Sequence, residues 1–322
     1  QVIDLAGSRA QRVETAKASL DVADAEYEAQ RIEVFAEVAR RFTECAAGER
    51  RLDSARNARE LSEEIVESVR VRVEAGQTTP IELKKARIAL ALLEIEEEHV
   101  EHELASSRQA LAAVLGEKDP TFGEIHADLM TLSELPAFPA LVQRLEKSPV
   151  LARYKIEARW RDAQVLLEQS LRRPGLLVSG GLRRVEATDD FGLVAGISLP
   201  IQVNDQTQGK VLEARERRAQ VDAKFKSTHL EMISALFAVY QEMIHVRTVF
   251  TRLQDEMIPL AEETFILAEE GYFKGRYSLL EMQDAQRSLI DLRKQVVANA
   301  AAFHRFVIEI ERLTGTPLLG EI

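Results

Sequence analysis

Gly275 to Gln286 reads GRYSLLEMQDAQ, and Gly76 to Arg87 reads GQTTPIELKKAR. Superposed at the offset between the two glycines, Ile81 meets Leu280, Glu82 meets Glu281 and Ala86 meets Ala285. In each stretch a glycine-led turn opens a run with helical spacing, so the same turn is written twice. Repetition on this scale marks two copies of one supersecondary unit.

Working outward from the second copy, apolar residues recur every seven positions at Phe225, Met232, Val239, Val246, Leu253 and Leu260. A second series runs through Leu236, Met243, Phe250 and Met257. Alternating steps of four and three between the series define a coiled-coil seam. The pattern predicts a helix from about Gln208 to about Glu270, roughly 90 Å long at the α-helical rise. Pro259 lies inside it and is expected to kink or locally unwind it, because proline lacks the amide donor and clashes with the preceding turn. After the Gly271–Tyr277 turn, a helix from near Ser278 to Leu313 returns antiparallel.

The first copy repeats the plan. A helix is predicted from about Arg9 to Glu74, a turn at GQTTP, and a return from Pro80 to Leu115, closed by Gly116 as the second copy is closed by Gly315. Near the start of the long helices the offset is one residue smaller: Ile3 answers Ile201, Val13 answers Val211 and Ala16 answers Ala214. One residue has therefore slipped within the long helix.

After the RRPG of Arg172–Gly175 the period changes. Leu193, Ala195, Ile197 and Leu199 alternate with Val194, Gly196 and Ser198, and the polar EATDD separates two runs. This reads as a β-hairpin with one apolar and one small or polar face. Its strands are long enough to cross a bilayer. A lone hairpin would leave unpaired backbone groups in lipid, so closure must come from other copies. QVIDLAGS at the start matches only the end of such a hairpin, and the numbering is expected to begin inside the mature protein.

Composition agrees with a mostly helical chain with few turns and excludes several classes. Of 322 residues 46% are apolar, only 15 are Gly and 9 Pro, and the net charge is −11. Acidity without a basic run argues against nucleic acid as a partner. No apolar run is long enough for a transmembrane helix, and Gln1 does not open a signal peptide. The single cysteine, Cys45, answers the seam residue Met243 and reads as a buried apolar thiol. No Ser/His/Asp grouping, phosphate loop or paired-cysteine motif offers a catalytic site, so neither an enzyme nor a cofactor is expected. His99 and His102, in EEEHVEHE, are the weak candidates for a metal; a solvated face is the plainer account.

The long paired hairpins, together with QVIDLAGSRAQRV, GGLRRVEATDDFGLVAGISLPIQVNDQTQGKVLEA and AEEGYFKGRYSLLEMQDAQRSL, resemble the TolC-type outer-membrane factors, and within them the CzcC-like heavy-metal efflux branch. Val203 and Gln206 stand where that branch usually has an aromatic and a basic residue. The resemblance implies a mainly α fold with a small β part, in which β-hairpins from a homotrimer close one transmembrane barrel and repeated helical hairpins form a tunnel. The expected divisions are residues 1–8 (end of the first barrel hairpin), 9–116 (first helical hairpin), 117–140 (equatorial connector), 141–173 (helices leading to the barrel), 174–204 (second barrel hairpin), 205–316 (second helical hairpin) and 317–322 (tail).

The same resemblance implies an outer-membrane exit duct of a tripartite pump in a Gram-negative bacterium, with a periplasmic adaptor, an inner-membrane RND transporter and outer-membrane lipid as partners. Its acidic pore constriction falls on Glu281 and Asp284, whose i, i+3 spacing puts both carboxylates on one helix face. The first copy has Glu82 and Lys85 there. Adaptor contacts fall on Gly76, Gln77, Thr78 and Thr79 and on Gly275, Arg276, Tyr277 and Ser278, and a closed-state latch on Tyr272, Arg276 and Tyr277. Two other readings stay open: the same channel carrying organic solutes or secreted protein, and a soluble coiled-coil scaffold.

Overall fold

Long runs of Ala, Leu, Glu, Arg and Gln with few internal Pro or Gly give helices little reason to stop. In the computed structural model, which describes residues 2–3, 7–172, 176–186, 189–198 and 207–318, α1 runs unbroken over Ser8–Glu74 and α2 over Pro80–Val114. Shorter α3 (Phe138–Leu145) and α4 (Pro149–Ser170) follow the connector. Then come α5 (Thr207–Arg252), a π-helical turn (Leu253–Met257), α6 (Ile258–Phe273) and α7 (Leu279–Thr314). None of the described helices is long and apolar enough to cross a membrane.

The sheet has three antiparallel strands in the order β1 (Val2–Ile3), β2 (Leu176–Val185) and β3 (Asp190–Ser198). β3 pairs with β2 along its whole length, from Leu177 opposite Ser198 to Val185 opposite Asp190, and Asp189 turns the hairpin with a positive φ of 56°. Val203 and Gln206 lie outside the described residues.

The chain divides into two units, each with its own packing. The first gathers residues 1–32, 142–234 and 313–315. In it Ser148 caps α4 by accepting the amide of Leu151, Tyr154 shares a 3.0 Å hydrogen bond with Thr228, and Arg218 pairs with Asp162 at 2.9 Å. The second unit holds residues 33–141, 235–312 and 316–322. Its middle core joins Ala46, Ala47, Phe250, Leu253, Val297 and Ala300 with Leu129 of the connector. The connector has no regular element and is tied down by side chains. Glu49 accepts the Ile125 amide at 2.8 Å and Arg108 at 2.9 Å, while His304 meets the Leu129 carbonyl at 3.0 Å. Cys45 is fully buried, and that burial pushes its thiol above the usual range.

The expected seam holds and then shifts. Met232, Leu236, Met243, Val246, Phe250 and Leu253 are buried, but the next two expected seam residues, Met257 and Leu260, are exposed. The buried series resumes one residue later, with Ile258 and Ala261 packed against the core and Phe265, Ala268 and Tyr272 buried in it. The π-turn supplies the reason. It holds one residue more than an α-turn, and each residue rotates an α-helix by about 100°. The sequence offset between the two glycine turns and that at the start of the long helices differ by the same single residue. Pro259, at the first turn of α6, leaves an amide vacancy just where the ladder is already interrupted.

Candidate functional site at the helical tips

At one end of the second unit α1, α2, α6 and α7 pack round one cluster: Ile65 and Val69, Ala86, Phe265 and Ala268, and Leu279, Met282 and Leu289. Both turns that close this end have the same backbone. Gly76 (φ 71°) and Gly275 (φ 69°) adopt the left-handed conformation that glycine reaches without a Cβ clash. In each, the glycine amide bonds three residues back and the next amide bonds five back: Gly76 to Val73 and Gln77 to Arg72, Gly275 to Tyr272 and Arg276 to Gly271. This is the paired-bond helix ending of the Schellman type.

The side chains differ. In the second turn Ser278 and Glu281 form a capping box. The Glu281 carboxylate accepts the Ser278 amide at 2.7 Å and its hydroxyl at 2.9 Å, and the Glu281 amide lies 3.3 Å from Ser278 Oγ. The backbone amide, then the hydroxyl, hold the Glu281 carboxyl below the ordinary glutamate range. In the first turn Thr79 occupies the N-cap of α2 without a side-chain cap bond. Glu82 instead accepts Thr78 at 2.5 Å and, across the unit, the Tyr272 hydroxyl at 2.9 Å. Tyr272 is buried, and burial first, then the Glu82 carboxylate, push its hydroxyl up to about 12. Arg72 completes the tie: its guanidinium donates to the Phe273 carbonyl at 2.9 Å and lies 4.9 Å from the centre of the Tyr272 ring.

The remaining expected residues fall on the surface. Gln77, Arg276 and Tyr277 are exposed, with the Tyr277 ring laid over Gly271, where a Cβ would come within 2.0 Å of it. Glu281 and Asp284 share one exposed face of α7. They border a groove of about 570 Å³ between α6 and α7, with Leu260, Ala261, Leu267 and Leu292 also in its lining. The Asp284 carboxylate meets no donor among the described residues, so of the two acids it presents the uncommitted charge. His99 and His102 are exposed, each facing a glutamate one turn away, Glu103 at 3.3 Å and Glu98 at 3.7 Å. Among the described residues no group of three or more His, Cys, Asp or Glu side chains is arranged to hold a metal ion.

Two residues at this end were not legible beforehand. Arg72 sits in an ordinary helical run, and Glu82 is separated from Tyr272 by 190 positions, so only the folded packing brings them together.

Long helical hairpins joined at glycine turns, together with an antiparallel β-hairpin, recur in known proteins. The chain is 27% identical over 313 residues to the cobalt-zinc-cadmium resistance protein CzcC of Cupriavidus metallidurans, spanning 97% of this chain and 75% of that one. In fold it is similar to the outer membrane protein VceC of Vibrio cholerae, with a TM-score of 0.82 at 18% identity, covering 99% of this chain and 78% of that one. It is also similar to CusC, whose structures concern folding and transmembrane channel formation, with a TM-score of 0.83 at 18% identity, covering 98% and 76%. The model of the outer membrane efflux protein family matches residues 1–117 and 140–316, and the chain belongs to that family.

Proposed function

We propose that the chain forms the outer-membrane exit duct of a tripartite efflux pump in a Gram-negative bacterium, exporting heavy-metal cations. The observation that carries this is the β2–β3 hairpin. Its ladder of nine residue pairs sets an apolar face in which Leu182, Leu193 and Ile197 are at least three-quarters exposed. Lipid is the environment that such a face suits, and a barrel is the closure that such a hairpin requires there.

Heptad stripes left exposed on the helices support a homotrimer. Val13, Leu20, Tyr27 and Val34 on α1, Ile81, Ile88 and Ile95 on α2, and Leu230, Phe237 and Ile244 on α5 each recur at steps of seven and are left at least partly uncovered by their own chain, where Phe138 meets the edge of Phe237. Identical seams on identical neighbours supply that cover. The metal cargo rests on the likeness to CzcC.

Within this reading Glu281 and Asp284 form an acidic constriction, with Asp284 the freer charge, and such a ring favours cations over anions. The turns at Gly76–Thr79 and Gly275–Ser278 meet the periplasmic adaptor, through which an RND transporter hands over its cargo. Tyr272 latches neighbouring helices through Glu82, while Arg276 and Tyr277 lie exposed on the rim for contacts outside the protomer.

The test is a planar bilayer recording of the full-length protein, beside its Asp284→Asn variant, with zinc and cobalt tolerance measured in a strain lacking the gene. Discrete cation-selective steps, weakened in selectivity by the substitution, and lost metal tolerance are the expected results. A trimer that inserts and never conducts overturns the duct. Conductance with unchanged metal tolerance overturns the cargo alone.

A further inference from the structure

The β2–β3 register sorts the hairpin into two faces more sharply than alternation along one strand can. Residues directly opposite point the same way, and neighbours along a strand point opposite ways. Val178, Gly180, Leu182 and Arg184 therefore share a face with Ile197, Ala195, Leu193 and Phe191. That is the apolar face, and its one cation is already partnered: Arg184 pairs with Asp189 and lies 5.6 Å from the centre of the Phe191 ring.

The other face holds Ser179, Gly181 and Arg183 opposite Gly196, Val194 and Gly192. Arg183 is exposed; Gly181 precedes it on this face of its own strand and Gly192 lies directly across the ladder, so neither of these two neighbours has a side chain to cover it. Added at Gly192, a Cβ would have the Arg183 backbone oxygen at 3.9 Å as its nearest neighbour, which leaves the space above this pair open. The acid nearest along this face is Asp190, in the last pair of the ladder, and no ion pair joins it to Arg183. An arginine with neither a carboxylate nor an aromatic partner among the described residues, and with glycine before it and across from it, is a fixed charge kept in water.

We propose that Arg183 lines the lumen of the duct as a positive collar near its outer end, drawing anions and weakening, in both directions, the preference for cations set at the acidic constriction. This rests on the barrel reading above. The helices join the hairpin at its open end, through Ser170 and Thr207, so the turn after Val185 is the end remote from them. Arg183 lies two residues from that turn, about 7 Å at the strand rise. Symmetry repeats it in each protomer. The barrel is wide compared with a constriction, so the collar acts through its field and not by contact, and its influence reaches about 10 Å at 0.1 M salt and about 3 Å at 1 M.

Two measurements on the full-length protein test this. The first is the reversal potential in a potassium chloride gradient at low salt. Arg183→Gln is expected to lower the chloride-to-potassium permeability ratio about twofold, Arg184→Gln to leave it in place, and the difference to vanish near 1 M salt. Channels whose selectivity ignores Arg183→Gln, or follows Arg184→Gln instead, overturn the collar and leave the duct standing. The second compares Arg183→Cys with Leu182→Cys in outer-membrane vesicles, using a charged thiol reagent; Cys45 is buried and gives no background. Reaction at position 183 and protection at 182 is the expected result. The reverse pattern overturns the collar, and equal reaction at both overturns the barrel on which it rests.

Discussion

The two helical tips share a backbone and differ in what their glutamates do. Glu281 stays at home and caps the helix that carries it, whereas Glu82, at the matching place, reaches to Tyr272 of the other hairpin. The helices behind them differ in the same sense. α7 buries Leu279, Met282, Ala285, Leu289, Val297 and Phe303, while α2 buries few residues and leaves Ile81, Ile88 and Ile95 in the open. Within one protomer α7 supplies much of the core, α1 shares in both of its clusters, and α2 adds little apolar surface but lends Glu82 to the tie. Equal position along a repeated chain is therefore no warrant for equal chemistry, because each copy packs against a different neighbour.

That contrast can be broken most forcefully in the tip core. Met282 is fully buried, and its counterpart Leu83 only lines the same cluster. Met282→Ala is expected to cost about 3 kcal/mol of stability in a denaturant titration, and Leu83→Ala about 1 kcal/mol, since the cost follows the cavity left behind. Equal losses would mean that the two hairpins share the core evenly. Next in size is the tie between them. Tyr272→Phe should cost about 1.5 kcal/mol, as a buried hydroxyl bonded to a carboxylate does. A double-mutant cycle should show coupling of Tyr272→Phe with Glu82→Gln and none with Glu281→Gln.

The caps come third. Ser278→Ala should cost about 1 kcal/mol and Thr79→Ala close to nothing, because only the serine bonds the end of its helix. The smallest effect is that of pH. A carboxyl whose pKa is depressed in the folded protein contributes stability that is present above its unfolded value and lost as pH falls through the folded one. Glu281 is such a group, its value lowered from the ordinary 4.5 by the Ser278 amide and hydroxyl. Amide exchange at Ser278 should quicken only in acid below that ordinary value, and Glu281→Gln should flatten the response.

Much of the fold was legible because helical seams advertise themselves. Met232, Leu236, Met243 and Phe250 were read as core from spacing alone and are buried. Spacing failed at Met257 and Leu260, since periodicity counts residues and takes every turn to be of one size. The missing information was nonetheless in the chain, as the one-residue change in offset between its two halves, though the offset says only that a residue is added and not where. At the tips, the glycines and the Ser278–Glu281 pair are local signals and could be read. The Glu82–Tyr272 bond and the Arg72 contacts could not, because they join segments about 200 positions apart whose meeting depends on how four helices pack. Arg183 was not read beforehand: the register gave both its face and its glycine neighbours.

The π-turn at Leu253–Met257 also bears on how such a chain can change in length. A residue added to a regular helix turns everything beyond it to a new face, which should make insertions in long coiled coils ruinous. Here the disturbance is confined to a single turn, beyond which the ion pair from Glu262 to Arg293 still forms at 2.7 Å and the buried series resumes. A helix built in this way can accept an insertion as a local edit and keep both of its ends in service, so the two copies need not match residue for residue.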